Sequence, residues 1–184
     1  MKKISKLNHG PENRVNGRVR RILCREKPRK IMSDQNKVQP SSASSSLRLP
    51  LRVDEVMTKT VMTLRVTDSF GDAVKLMATH HVRHSVIVDD EGRIKGVISD
   101  RDVLRALART PDWQTKAVSE IMTHEPFVVN PHTTVTDALA QLIEKHINCL
   151  PVVGEGEKIC GILTSSDLLR SYQKVLEAAQ HQER

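Results

Sequence analysis

A hydroxyl followed three residues later by a carboxylate occurs twice where a β-rich run passes into a helical pattern. The first is Ser99 with Asp102, in Gly96-Val97-Ile98-Ser99-Asp100-Arg101-Asp102; the second is Thr164 with Asp167, in Gly161-Ile162-Leu163-Thr164-Ser165-Ser166-Asp167. A carboxylate has two acceptor oxygens, so it can take two ligand hydroxyls at once. The Ser or Thr falls at a helix start, where free backbone N–H groups and the helix dipole favour an anion such as phosphate. The same spacing is also a capping box that needs no ligand. Ser69 with Asp72 and Thr134 with Asp137 carry it too, with no Gly-led strand before them. The pattern by itself leaves cap and ligand site equally open.

Other chemistries find less support. His80, His81 and His84 cluster where a helical pattern ends, and a protonated His is favourable there without any metal. No Cys or acidic partner lies nearby at ligand spacing, so no metal is expected. There is no Gly-x-Ser-x-Gly elbow, no Gly-x-x-x-x-Gly-Lys phosphate loop, and no Cys–His pair at a helix start. Cys149 and Cys160 fall in strand contexts and read as small core residues. Aromatic residues make up 2% of the chain, too few for a platform that stacks single-stranded nucleic acid. The chain is therefore expected not to be an enzyme.

The elements that must position these residues are written twice. A shift of 65 positions aligns residues 53–107 with 118–172 without a gap. Val53, Glu55, Met57, Thr58, Asp72, Ala73, His81, Gly96, Asp102 and Arg105 all recur in the second copy, and apolar positions match more widely. Each copy reads strand, helix, strand, strand, helix. Val61–Leu64 is a short apolar strand, and Phe70, Ala73, Val74 and Met77 follow at helical spacing. Ser85–Val88 and Ile94–Ile98 form a hairpin, as do Leu150–Val153 and Ile159–Leu163. The last helix of the second copy runs to about residue 180. A unit of this kind has one apolar face and cannot stand alone. Two of them burying their sheets against each other make one α+β module.

With the Met57-Thr58 and Met122-Thr123 openings, the doubled Gly-apolar-apolar-Ser/Thr-x-x-Asp ending resembles the cystathionine-β-synthase (CBS) domain family over residues 53–172. The resemblance implies a tandem pair of pseudo-symmetric CBS repeats, called a Bateman module, binding adenosyl nucleotides in clefts between the repeats. On that basis Asp102 and Asp167 would take ribose, and Ser99 and Thr164 ribose or phosphate. Ser165 and Ser166 would line the second site. The backbone at Lys59, Thr60 and Val61, and at His124, Glu125 and Pro126, would meet the adenine. Arg83, His84 and Arg101 would supply charge for phosphate in copy one; copy two has Asn148, Cys149 and Ser166 there instead, so it is expected to bind weakly, to bind a less charged nucleotide, or to stay empty. The family also implies flat homodimers held through helix faces, for which Leu76, Met77, Leu139 and Leu142 are candidates.

Residues 1–48 are expected to be a disordered, basic and Ser-rich tail, ahead of repeats at 49–110 and 111–180. Residues 1–31 carry eleven Lys and Arg against Glu12 and Glu26, a balance of +9 in a chain whose formal net charge is +7. The repeats are thus nearly neutral, and any docking of nucleic acid or an acidic partner would belong to the tail. Such docking by a dimer with empty clefts is the alternative to nucleotide sensing by a non-catalytic module acting on a regulated protein. Met32 is a second candidate start. No run of eighteen apolar residues is present to span a membrane, no apolar segment follows Lys2 and Lys3, and the cysteines (Cys24, Cys149, Cys160) form no Cys-x-x-Cys pair. A cytoplasmic setting is expected.

Overall fold

The repeated pattern builds repeated elements. The computed structural model describes residues 20–23, 49–109, 111–113 and 116–182. In chain order they form β1 (Arg20–Leu23), α1 (Val53–Val56), β2 (Thr60–Arg65), α2 (Phe70–His80), β3 (His84–Val88), β4 (Ile94–Ser99), α3 (Asp100–Arg109), β5 (Thr123–His124), α4 (Val135–Glu144), β6 (Cys149–Val153), β7 (Ile159–Thr164) and α5 (Ser165–Gln182). Ser69 and Asp72 close a full capping box on α2, while Thr134 caps α4 through the Asp137 amide alone. Both helices are followed by a histidine in the left-handed region, His81 and His146, each at φ 52°. The two hairpins share even their irregularity: the register slips between Ile87 and Val88 in one and between Val152 and Val153 in the other.

The repeats exchange their openings. β5, from the second copy, pairs with β4 of the first, His124 opposite Gly96 and Thr123 opposite Val97. Reciprocally, Thr58 pairs with Ile162 of β7, and the amides of Val53 and Asp54 donate to the carbonyls of Thr133 and Pro131, each at 3.0 Å. Gly96 and Gly161 permit this. A Cβ on Gly96 would sit 2.9 Å from the Thr123 carbonyl oxygen, and one on Gly161 would collide with the Met57 side chain. Close approach at these glycines is made by the other repeat.

The core follows the exchange. Met122 joins the first copy's cluster around Leu64, Phe70, Leu76 and Ile98; Val53 and Met57 join the second copy's cluster around Ala138, Leu150 and Leu163. A third cluster lies between the sheets, where Val61, Val86, Val88 and Val97 meet Cys149, Ile159 and Ile162. Each such fully buried Val or Ile contributes roughly 1.5–3 kcal/mol.

Three expectations change. Arg20–Leu23, inside the expected tail, forms a strand: it pairs antiparallel with β2 and edges a five-stranded sheet ordered β1-β2-β3-β4-β5. The rest of the expected tail lies outside the described residues. The second copy's opening has only the two residues of β5 and an isolated bridge between Val129 and Val152, because Glu125 adopts φ 48° and Pro126 has no N–H to add to a ladder. Finally, Leu76, Met77 and Leu142 are buried in the core and cannot serve as an interface. Of those four, Leu139 alone is exposed. It lines a groove of about 940 Å³ with Leu49, Leu51, Ile143, Leu169 and Tyr172.

Candidate functional site

Each strand-to-helix turn places its carboxylate by the same three bonds. At the start of α3, Ser99 N and Oγ donate to Asp102 Oδ2 at 2.9 and 2.6 Å, and the Asp102 amide donates back to Ser99 Oγ at 3.3 Å. At the start of α5, Thr164 N and Oγ1 donate to Asp167 Oδ2 at 2.8 and 2.6 Å, and the Asp167 amide returns to Thr164 Oγ1 at 3.3 Å. Both are capping boxes, and each uses one carboxylate oxygen only.

The second oxygens differ. Asp167 Oδ1 accepts the Thr58 hydroxyl, delivered from the other repeat, at 2.9 Å, and also faces Arg170 at 3.5 Å. Asp102 Oδ1 meets, among the described residues, only Arg105 at 3.4 Å. Exposure agrees: the Asp167 side chain is 5% exposed and that of Asp102 20%. Thr58 is the residue that sequence reasoning left out of the site. Its signal was the Met-Thr opening shared by both copies.

The exchange also decides which residues lie on the side of each carboxylate. β4 leads into Asp102 and carries β5 on its edge, so His124 and the exposed Glu125, with half-buried Pro126 behind them, lie on the Asp102 side. Lys59, Thr60 and Val61 lie on the Asp167 side, beyond the Thr58 bridge to β7. Thr60 and Val61 already face Leu23 and Ile22 across the β1–β2 ladder.

Charge is concentrated near Asp102. His84 is half-buried, and burial lowers its pKa from the usual 6.5; the nearby Asp100 and Asp102 carboxylates oppose this, while Arg83 and Arg101 reinforce it. Cys149, contributed by the second copy, is pushed up to about 12 by burial and then by the Asp102 carboxylate. Arg83 reaches the other way, its Nη2 donating to Ser166 Oγ at 2.9 Å. Ser165 Oγ points to Asn148 Oδ1 at 3.4 Å. Thus His84 accompanies Asp102, Arg101 lies near His84 and also lines the groove along α4 and α5, and Arg83 bridges to the second copy at Ser166. Among the described residues no group of three His, Cys, Asp or Glu is placed to hold a metal ion, and no helix is long and apolar enough to cross a membrane.

A family model described as the CBS domain matches residues 53–109 and again 118–174. Inosine-5′-monophosphate dehydrogenase of Methanocaldococcus jannaschii is 29% identical over 119 residues, 65% of this chain and 23% of that protein. The chain spans less than half the length of the first curated relatives it matches. Among solved structures, the CBS domain pair of protein MJ0100, in complex with 5′-methylthioadenosine and S-adenosyl-L-methionine, is similar with a TM-score of 0.63 and 28% identity, over 68% of this chain and 98% of that one. CBSX2 in complex with AMP is similar with a TM-score of 0.60 and 29% identity, over 67% of this chain and 97% of that one.

Proposed function

The chain belongs to the CBS domain family, and from that premise we propose that its repeats form a non-catalytic regulatory module that binds an adenosyl nucleotide at the Asp102 cleft. One observation carries the choice of cleft. Asp102 caps α3 with one oxygen, and its other oxygen meets only the long Arg105 contact among the described residues. That oxygen takes the ribose hydroxyls. Ser99 stands at the start of α3, where free N–H groups favour phosphate, and Arg101 and His84 add positive or polarisable groups beside it. The backbone of His124–Pro126 meets the adenine. AMP and S-adenosyl-L-methionine bound to the similar CBS proteins support an adenosyl ligand.

Because the Asp102 cleft is walled by residues of both repeats, a ligand there binds one arrangement of the pair better than another, and so carries a signal. The receiver is a partner protein or a second copy. The groove along α4 and α5 suits a second copy, since Leu139, Ile143, Leu169 and Tyr172 are all exposed there.

Isothermal titration of the full chain with AMP and with S-adenosyl-L-methionine tests the reading. One equivalent is expected for at least one of them, removed by Asp102→Asn and kept by Asp167→Asn. Asn retains an oxygen for the cap, so loss of binding is separable from loss of fold. Absence of binding by either ligand, or binding indifferent to Asp102, would sink the proposal.

A further inference from the structure

The two clefts differ in what lies on the strand edge beside them. Beside Asp167, β1 runs antiparallel along Thr60–Thr63, from Leu23 opposite Thr60 to Arg20 opposite Thr63. That edge's ladder hydrogen-bonding groups face the chain's own strand, and Ile22 packs into the cluster between the sheets with Val61, Cys149 and Ile162. β1 also touches β7, the strand that leads into Asp167. The carboxylate itself is engaged by Thr58. Beside Asp102 the equivalent edge is residues 125–128. Among the described residues no strand pairs with it, Phe127 and Val128 are 52% and 39% exposed, and Glu125 and Pro126 break the ladder geometry.

We propose that Arg20–Leu23 is a strap that occupies the backbone edge of the Asp167 cleft, so that an adenosyl nucleotide enters there only when β1 detaches. The inference rests on the nucleotide reading above and adds a coupling to it. One cleft is open, and the other is filled by the chain itself. Occupancy of the second costs the β1–β2 ladder and the burial of Ile22. By reciprocity, anything that draws the basic segment around β1 away favours nucleotide at Asp167 by the same factor.

The test uses the full chain, AMP titration and amide hydrogen exchange on wild type and Ile22→Asp, which places a charge among Val61, Cys149 and Ile162. Wild type is expected to bind one equivalent, through Asp102. Ile22→Asp is expected to bind a second that Asp167→Asn abolishes, with exchange at Thr60–Thr63 at least tenfold faster before AMP is added. A variant with faster exchange at this edge and still only one equivalent would overturn the strap while leaving the Asp102 site intact. Binding of AMP by neither protein would overturn the nucleotide reading and the competition together. Should Ile22→Asp fail to fold, the milder Ile22→Ala takes its place with the same two readouts, and faster exchange at this edge with still only one equivalent rejects the strap.

Discussion

At the scale of single residues, the two copies are held to their register by contacts that tolerate little change. Gly96 faces the Thr123 carbonyl across the exchanged opening, so Gly96→Ala puts a methyl 2.9 Å from a backbone oxygen that has no rotamer to escape into. The expected cost is about 1–3 kcal/mol, as for other overpacked sites, read as a lowered denaturant midpoint with an unchanged slope. A midpoint equal to wild type would mean β5 is not seated on β4. His84 gives a second residue-level expectation, with its sign fixed by burial. Its folded pKa lies below the usual 6.5, so as pH falls through 6.5 the unfolded chain takes up a proton that the folded chain refuses. The stability His84 contributes is therefore complete above 6.5 and is lost as pH falls toward its folded value. Thermal melts between pH 7.5 and 5.5 are expected to fall more steeply for wild type than for His84→Asn. Equal slopes would show the imidazole to be as solvated as in the unfolded chain. Bound phosphate beside His84 would shrink the difference by favouring the protonated ring.

At the scale of elements, what was legible in the amino-acid sequence is what depends on local period and capping. The apolar stripe of Phe70, Ala73 and Met77 gave α2, and Ser69-x-x-Asp72 its start. The hairpins followed from their β-rich runs and Gly-containing loops, and the doubled Ser/Thr-x-x-Asp located both carboxylates within one turn of a helix. Three things were not legible, each for a physical reason. Strand β1 is short, and its only signal is Ile22-Leu23 among arginines; it exists because β2 offers an unpaired edge, a fact of topology. The weak second opening was hidden by the repeat itself, which invited an exact copy of β2 where Glu125 and Pro126 forbid one. The helix faces were misassigned because an apolar residue on an amphipathic helix reads alike whether it meets its own sheet or a neighbour. Leu142 faces β6 and Leu139, three residues earlier, faces out. At the site, spacing identified Asp102 and Asp167. Spacing alone could not separate them: the sequence distinguishes the copies by Arg83, His84 and Arg101 against Asn148, Cys149 and Ser166, and the engagement of Asp167 comes from Thr58, 109 residues away in sequence.

At the scale of the whole molecule, the exchange of openings makes the two repeats one thermodynamic body. Val53 and Met57 belong in sequence to the first copy and are buried in the second copy's cluster, while Met122 makes the reverse crossing. The third cluster contains residues of both copies and no complete half of its own. Unfolding either repeat alone would strip the other of an opening segment and of half that shared cluster. No intermediate with one intact repeat has a satisfied core, which is the condition for all-or-none unfolding in a two-repeat body that the family matches confine to residues 53–174. Calorimetry of the full chain is expected to give a single transition whose calorimetric and van't Hoff enthalpies agree. The same logic extends to Thr58→Val, which removes a bond made to Asp167 across the exchange. Although the substitution lies in the first copy, it must lower the one transition as a whole, by about 1.5–3 kcal/mol if the hydrogen bond to a charged acceptor has its usual strength. Two resolved transitions, with only one of them moved by Thr58→Val, would show that the repeats fold independently. A ligand in one cleft would then have no route to the other. A single transition would give the nucleotide proposed at Asp102 a physical hold on the Asp167 side, on β1 and on the groove along α4 and α5.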